Sequence, residues 1–236
     1  MKICVVTSVF NMIMNNCYAK PIDPKNPLPN VDYICFTDRP FKSKIWECRV
    51  VPLWNNDPIK SSKIYKILAY KYLSEYDASI WMDIHCVLNQ NCIEPLKYLN
   101  EYSCVFFEHD QRNCIYDEAE YCIKIKKDIK ENLEKVINRY KKKNFPEKFG
   151  LTENTVHWKS HRDNKLNEIM DLWWYELSNN SCIRDQCSLM YCFWKKNFKN
   201  YKLLNGETEN TKHLETWSHK EKYYTRYGSK YSLRKI

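Results

Sequence analysis

The fold class is decided by the stretch Ile80-Trp81-Met82-Asp83-Ile84-His85, a short apolar run that ends in an aspartate and a histidine. Such a run, bounded by turn residues, is typical of a buried strand in an α/β sheet. A carboxylate at the end of that strand lies at the sheet edge where ligands bind. Because side chains two residues apart project from the same face of an extended chain, Asp83 and His85 could hold one divalent cation.

A basic, helix-like segment precedes this strand, since residues 59–73 carry apolar side chains at helical spacing. Lys63 and Lys66 lie three residues apart in it and therefore share one helix face. Both ammonium groups could reach a diphosphate that is held by a cation on Asp83. The plainer interpretation of the two lysines is the solubility of an exposed helix. Together the strand, the carboxylate and the lysines predict a nucleotide-sugar enzyme.

Short apolar runs alternate with this helical pattern over residues 1–110. The alternation predicts an α/β fold with a Rossmann-like, mixed or mostly parallel sheet flanked by helices. Predicted strands cover residues 2–7, 31–36, 46–52, 78–83 and 103–107. Thr7 and Ser8 lie at the end of the first predicted strand and Asp38 lies at the end of the second, at positions suited to nucleotide contact. An aspartate followed by arginine and proline is also a common turn residue.

Helical patterns dominate after residue 110. One long amphipathic helix is predicted over Asp117–Lys143, and two more are predicted over residues 166–177 and 185–194. Residues 201–236 are polar and rich in tyrosine and lysine, which predicts a tail. We therefore expect a single domain over residues 1–236, in which the texture changes after residue 110 and the tail covers 201–236.

The residues before the last predicted helix are candidates for catalysis. Asp185 suits a helix N-cap, and a carboxylate at a helix start can also face a cleft. In an inverting transferase it would be the general base for the acceptor hydroxyl. In a retaining one, Asp185 or Gln186 would stabilise an oxocarbenium-like state. Arg184 could bind phosphate or acceptor through its guanidinium.

A polar cluster follows the predicted strand at 103–107 and contains Glu108, His109, Arg112 and Glu118. Its position suits recognition of the acceptor or the donor sugar, because binding residues concentrate on loops beside a rigid scaffold. A solvated loop leading into a helix is the alternative interpretation. Lys159 and His161 are assigned to acceptor or sugar binding on the same reasoning.

Composition narrows the class of protein. The 236 residues include only 3 glycines, which leaves no glycine-rich phosphate loop or dinucleotide fingerprint. The formal net charge of +9 indicates either a solvated lysine-rich surface or attraction to an anionic partner. No nucleic-acid-binding signature accompanies that charge, so nucleic acid is not expected as a partner. Peripheral contact with a membrane through the lysine-rich surface stays open.

The 12 cysteines are scattered, with no CxxC pair and no secretory signal beside them. Free cysteines in apolar contexts behave as small hydrophobic residues, and a reducing compartment keeps them so. The apolar run near the N-terminus is too short and too often interrupted to span a bilayer. The expected location is the cytoplasm, and a position at the periphery of a membrane stays open.

A series of short motifs runs in order through residues 1–200: Lys63-x-x-Lys66, Trp81-x-Asp83, Glu108-His109-x-x-Arg112-x-x-x-Tyr116-x-Glu118, Gly150-Leu151-x-Glu153, Lys159-x-His161, Trp173-Trp174 and Ser181-x-x-Arg184-Asp185-Gln186. The series resembles the glycosyltransferase-like family first catalogued as domain of unknown function 616. That family is placed among nucleotide-diphospho-sugar transferases of the GT-A type, and its members are implicated in building polysaccharides. The resemblance implies a nucleotide-binding half over residues 1–110 and an acceptor-facing half over residues 111–200.

The resemblance implies a hexosyltransferase that takes a sugar from a nucleoside-diphosphate donor, by analogy a UDP-sugar, and adds it to a glycan acceptor. It also implies Mn²⁺ or Mg²⁺ as a cofactor on Asp83, His85 and His219, the last of which resembles a late histidine of GT-A enzymes.

The chain departs from the pattern of the family in two places. Asp83-x-His85 stands where GT-A enzymes typically carry Asp-x-Asp, and Lys159 stands where an arginine is expected, so the bidentate fork of a guanidinium is missing. The first departure keeps a second hypothesis open, a non-catalytic sugar- or polyanion-binding module with a degenerate metal site. A nucleic-acid-binding protein is a third hypothesis, which predicts steeply salt-dependent binding to DNA or RNA.

Overall fold

The computed structural model of the chain describes residues 1–11, 13–14, 17–180, 182–205 and 213–214. The strands are β1 (Ile3–Val9), β2 (Ile13–Met14), β3 (Cys17–Tyr18), β4 (Val31–Thr37), β5 (Trp46–Val50), β6 (Ala78–Met82), β7 (Cys104–Glu108), β8 (Thr152–Ser160) and β9 (Tyr201–Leu204). The helices are α1 (Pro58–Ile67), α2 (Ala69–Tyr72), α3 (Ile115–Lys124), α4 (Lys130–Lys142), α5 (Asn164–Ser178) and α6 (Gln186–Lys195), with 3₁₀ segments at Trp54–Asn56 and Gln90–Asn100.

A seven-stranded sheet in the order β5-β4-β1-β6-β8-β7-β9 forms the centre of the molecule. Neighbouring strands are parallel except where β8 runs antiparallel between β6 and β7. Strands β2 and β3 pair separately. The mixed, mostly parallel sheet with its flanking helices confirms the predicted α/β fold of the GT-A-like type.

Two hydrophobic cores cover the two faces of the sheet. Apolar residues of α1 to α6 pack together on one face, against strand residues such as Val6 and Phe106. The 3₁₀ segment Gln90–Asn100 and the loop before β4 cover the other face, where Trp158 lies fully buried. Burial of this apolar surface is the main favourable term in folding. The layering places α1 beside β1 and α6 beside β8, the elements that carry the candidate site.

The predicted strands β1, β4, β5, β6 and β7 and the predicted helices α5 and α6 are confirmed, with shifts at their ends. The single helix predicted over Asp117–Lys143 is wrong, because the chain turns between α3 and α4. Lys126 adopts a left-handed conformation there (φ 55°), and the amide of Lys127 donates to the carbonyl of Cys122 at 2.8 Å. The lysine-rich composition gives no glycine or proline signal for this break.

Strands β8 and β9 were not predicted from the sequence. The polar segment Thr152–Ser160 is buried over most of its length at the centre of the sheet. Gly150 leads into it with φ 108°, and a Cβ atom there would lie 3.2 Å from Cε of Met190. Tyr201–Leu204, which falls in the predicted tail, is instead an edge strand.

Within the residues described, no helix is long and apolar enough to cross a bilayer.

Candidate active site

Helix α1, which carries Lys63 and Lys66, is capped at its N-terminus and hydrogen-bonded to β1. Asp57 caps α1, since its Oδ1 accepts hydrogen bonds from the amides of Ile59 and Lys60 at 2.9 Å each, and a proline occupies the first helical position. The hydroxyl groups of Ser8 on β1 and Ser62 on α1 lie 2.7 Å apart. These contacts fix the helix face that carries the predicted lysines.

Lys63, Asp185, Lys66 and Asp83 form one connected set of ion pairs, here called the lysine–aspartate network. Nζ of Lys63 lies 2.7 Å from Oδ1 of Asp185. Nζ of Lys66 lies 3.0 Å from Oδ2 of Asp185 and 3.2 Å from Oδ1 of Asp83. The side chains of Lys66 and Asp185 are only 2% and 4% exposed, whereas those of Lys63 and Asp83 are 19% and 30% exposed. Lys63 and Asp83 are therefore the solvent-facing members.

In the lysine–aspartate network, the lysines favour the ionised form of the carboxylates and the carboxylates favour the ionised form of the lysines. Burial alone would raise the pKa of Asp185, but the ammonium groups of Lys63 and Lys66 hold it far below its usual range. Burial also opposes the ionisation of Asp83, and Lys66 and Lys63 again lower its pKa. Although burial favours the neutral form of Lys66, the two carboxylates raise the pKa of that lysine. Burial lowers the pKa of Lys63, whose main carboxylate partner is Asp185.

Two tryptophans hold the carboxylate-bearing segments. The indole N–H of Trp81 donates to Oδ1 of Asp83 at 2.8 Å, and Nζ of Lys66 lies 5.6 Å from the Trp81 ring centroid. The indole N–H of Trp173 donates to the backbone carbonyl of Asp185 at 3.1 Å. Both tryptophans occur in the motifs quoted above but were not assigned to the site. For Trp81 a signal existed, because positions 81 and 83 lie on the same face of an extended chain.

A third residue of the site was also missed. His157 pairs with Trp81 across β6 and β8 and is fully buried, with its ring 4.9 Å from that of Phe106. Burial, followed by the nearby lysines Lys159 and Lys66, lowers its pKa well below the usual range, so the imidazole is neutral. Since β8 itself was not predicted, no sequence signal placed His157 here.

Asp83 and His85 do not project from one extended strand as predicted. β6 ends at Met82, and the amide of Cys86 donates to the carbonyl of Asp83 at 2.9 Å, so residues 83–86 form a turn. Oδ1 of Asp83 is already contacted by Lys66 and Trp81.

Within the described part of the chain, no three metal-ligating side chains converge. His219, the third predicted ligand, lies outside the described residues. The predicted Mn²⁺ or Mg²⁺ cofactor is left untested.

Asp185 does not face outward into a cleft as predicted. It occupies the N-cap position of α6, yet its side chain makes no capping hydrogen bond and instead meets the two lysines. A carboxylate whose pKa is held this low is a weak general base. Its geometry favours a positioning role.

The two neighbours of Asp185 contact each other. The guanidinium of Arg184 donates to Oε1 of Gln186 at 2.7 Å, and Nε2 of Gln186 lies 3.4 Å from the carbonyl of Thr152.

A second polar cluster lies after β7, as predicted. Arg112 donates through Nε to Oε2 of the buried Glu118 at 2.7 Å, and its Nη2 lies 3.1 Å from Nε2 of His109. Glu108 is exposed at the end of β7. Glu118 lies on α3, and α3 packs against α6. The structure thus brings this cluster close to the segment that leads into α6 and carries Asp185.

Two further predicted site residues, Lys159 and His161, lie in the interior behind α1, and their side chains belong to neither cluster. Lys159 is buried, and its Nζ donates to the carbonyls of Lys66 and Ile67 at 2.7 and 2.9 Å. His161 is buried too, with Nδ1 3.1 Å from the carbonyl of Leu73. Neither side chain faces a cleft, so both support the end of α1 and the segment after it. They are placed in the interior and not at an acceptor surface.

The predicted nucleotide-binding residues of β1 and β4 are also accounted for. Thr7 is fully buried, and the hydroxyl of Ser8 is used in tying β1 to α1. Oδ1 of Asp38 accepts a hydrogen bond from the amide of Asn11 at 3.1 Å, beyond the end of β4. Among these three, Asp38 alone is not buried.

Comparison with protein families places this geometry in context. Residues 31–216 match the family described as TOD1/MUCI70, glycosyltransferase-like domain. The match includes all four members of the lysine–aspartate network and the polar cluster after β7, and it confirms the resemblance noted from the motifs. None of the curated proteins matches the chain.

Proposed function

We propose, since the chain belongs to the TOD1/MUCI70 glycosyltransferase-like family, that it moves a hexose from a nucleoside-diphosphate donor to a glycan acceptor. The observation that carries the proposal is the lysine–aspartate network at the end of β6. In an open α/β sheet the edge at the carboxyl ends of the parallel strands is where nucleotides bind. Polysaccharide or glycan biosynthesis is the process in which such an activity belongs.

Transfer breaks the bond between the sugar and the diphosphate, so negative charge develops on the departing phosphate oxygen. Fixed cations at that oxygen lower the barrier. Lys63 is the ammonium group of the network with a solvent-facing side chain, and a phosphate would compete with Asp185 for it. Lys66 is clamped between two carboxylates, so its role is to hold Asp83 and Asp185 in place.

A divalent cation would add to this chemistry if the donor brings it. Asp83, His85 and His219 would be the residues that hold Mn²⁺ or Mg²⁺. It would supply positive charge to the leaving group. The donor nucleotide is proposed to be UDP by analogy with the family, and the protein is proposed to act in the cytoplasm.

The first test is a thermal-shift screen of UDP, GDP, CDP and dTDP, each with and without Mn²⁺. A nucleotide that binds only the folded state raises the melting temperature. We expect stabilisation by one nucleotide in the wild type, its loss in Lys63→Met, and its retention in Lys60→Met. Lys60 lies on the same helix and donates to the carbonyl of Ser178, so it is the matched control. The absence of a shift with every nucleotide would contradict the proposal.

A non-catalytic sugar- or polyanion-binding module is the second candidate, and one observation favours it. Both carboxylates of the network are neutralised by lysines, which leaves no basic carboxylate among its members. Incubation of the protein with each UDP-sugar and measurement of released UDP separates the two candidates. Nucleotide binding without release of UDP, in the presence of glycan acceptors, would favour the binding module.

A further inference from the structure

Exposed apolar side chains concentrate in one short segment of the surface. Tyr121, Ile125 and Ile129 are 37%, 40% and 61% exposed, and they follow one another at intervals of four residues. The segment spans the end of α3 and the turn into α4. We call residues 121–130 the α3–α4 patch. Isolated exposed apolar residues are normal on a soluble protein, whereas a cluster of them marks a contact surface.

Lysines surround these apolar side chains. The exposed lysines of the patch are Lys124, Lys126, Lys127 and Lys130. The one carboxylate inside the patch, Asp128, is turned to the backbone: its Oδ1 accepts from the amide of Ile129 at 2.7 Å, and its Oδ2 accepts from that of Ile183 at 2.9 Å. The outward charge of the patch is therefore positive, although Lys130 also meets Glu134 at 3.6 Å.

The turn that presents the patch is hydrogen-bonded. The amides of Ile125 and Lys126 donate to the carbonyls of Tyr121 and Ile123 at 3.0 and 3.1 Å, and Lys126 supports the turn with φ 55°. The turn therefore holds Ile125 and Ile129 outward, and the folded chain forgoes part of the free energy that their burial would provide.

The patch is also joined to the candidate active site. The hydrogen bond between Asp128 and the amide of Ile183 attaches it to the segment that leads directly into Arg184 and Asp185. On the other side, the guanidinium of Arg112 lies 4.1 Å from the centroid of the Tyr121 ring. A surface bound to the patch would thus lie beside both polar clusters.

We propose that the α3–α4 patch docks the protein on an anionic lipid bilayer, with the isoleucines entering the headgroup region and the lysines meeting lipid phosphates. Apolar side chains flanked by lysines are the combination that binds at such an interface, because burial and charge attraction act together. A soluble polyanion would use the lysines and gain nothing from the isoleucines. The chemistry of the patch therefore favours a bilayer.

The test is co-sedimentation of the full chain with vesicles of phosphatidylcholine alone or mixed with phosphatidylserine. We expect binding to the mixed vesicles that weakens as salt is added. The double variant Ile125→Ser/Ile129→Ser should bind the same vesicles roughly tenfold more weakly or worse. Replacement of Lys124 and Lys127 by serine should cost roughly fivefold per lysine and remove the preference for phosphatidylserine.

The matched control is Val50→Ser/Tyr175→Ser, which removes side chains of similar exposure, 54% and 58%, outside the patch. It should bind vesicles as the wild type does. Equal binding by the isoleucine variant and the wild type would overturn the proposal, and so would failure of the wild type to sediment with anionic vesicles. Thermal shift with nucleotide, measured on the same variants, should be unchanged, so a failure of this inference is distinct from a failure of the proposed function.

Discussion

Two lysines of this protein are almost equally buried and have opposite electrostatic surroundings. Lys66 and Lys159 are each 2% exposed. Lys66 lies between two carboxylates, which raise its pKa against the effect of burial. Lys159 contacts backbone carbonyls at the end of α1, and burial lowers its pKa to about 7. Depth of burial therefore does not decide the charge of a lysine; the presence of a carboxylate does.

The two lysines also differ in what they do for the fold. Lys66 links the end of β6 to the start of α6, because it contacts Asp83 and Asp185. Lys159 on β8 satisfies carbonyls that α1 leaves without an intrahelical donor at its last turn. Since one of those carbonyls belongs to Lys66 itself, Lys159 supports the helix turn from which the network is built.

The change with the largest expected effect is Asp185→Asn. Asparagine keeps the shape of the side chain but leaves Lys63 and Lys66 to share Asp83. We expect a loss of about 3–5 kcal/mol in the free energy of unfolding, because one partner of a buried pair is removed. Urea unfolding followed by tryptophan fluorescence measures it.

Asp171→Asn is the matched control, since Asp171 pairs with Lys71 at a site where both side chains are 47% exposed. Its expected cost is about 0–1 kcal/mol. If Asp185→Asn costs no more than this control, then Asp185 does not hold the two lysines and the proposed positioning role is wrong.

Three of the strands predicted from sequence, β1, β4 and β6, show their burial in their apolar composition. They read as continuous hydrophobic runs, as strands buried on both faces do. β8 is also central, but it contains the buried polar residues Asn154, His157 and Lys159, which interrupt an apolar pattern. The partners of Lys159 are backbone carbonyls of α1, almost a hundred residues earlier, and local composition cannot report such contacts. β8 was missed for that reason.

The sequence was a better guide to which residues form the candidate site than to what each of these residues does there. Lys63, Lys66 and Asp83 share a short stretch of sequence, so their convergence followed from strand and helix geometry. Asp185 lies about a hundred residues later, and local patterns specify neither its contact with the lysines nor the pKa that this contact imposes. The prediction that Asp185 is a general base facing a cleft therefore rested only on its position at the start of a helix.

The next largest expected effect is the difference between Lys66→Met and Lys159→Met. Methionine has a similar volume, so packing changes little and the electrostatic contribution is isolated. Lys66→Met should cost about 3 kcal/mol, because two carboxylates lose their shared cation. Lys159→Met should cost about 1 kcal/mol, because the loss of two hydrogen bonds is offset by the removal of a buried charge. Equal losses in urea unfolding would remove the distinction between the two lysines.

The smallest expected effect is the change in the free energy of unfolding over a single pH unit. Because the pKa of Lys159 is about 7 in the folded protein and near 10.5 in the unfolded chain, the unfolded chain binds more protons between these values. Stability should therefore rise with pH across that window, by on the order of 1 kcal/mol per pH unit relative to Lys159→Met. Below about 7 the two proteins should respond to pH alike, since Lys159 is protonated in both states.

Taking the difference between wild type and Lys159→Met cancels most of the response of other groups that titrate in the same window, such as Lys63. Burial has the largest effect on the pKa of Lys159. Of the titratable groups near Lys159, Cys104 raises this pKa and Lys66 lowers it. A difference that stays flat with pH would mean that the helix carbonyls alone keep Lys159 fully charged. Backbone dipoles would then match a carboxylate as partners of a buried lysine, and the contrast with Lys66 would be lost.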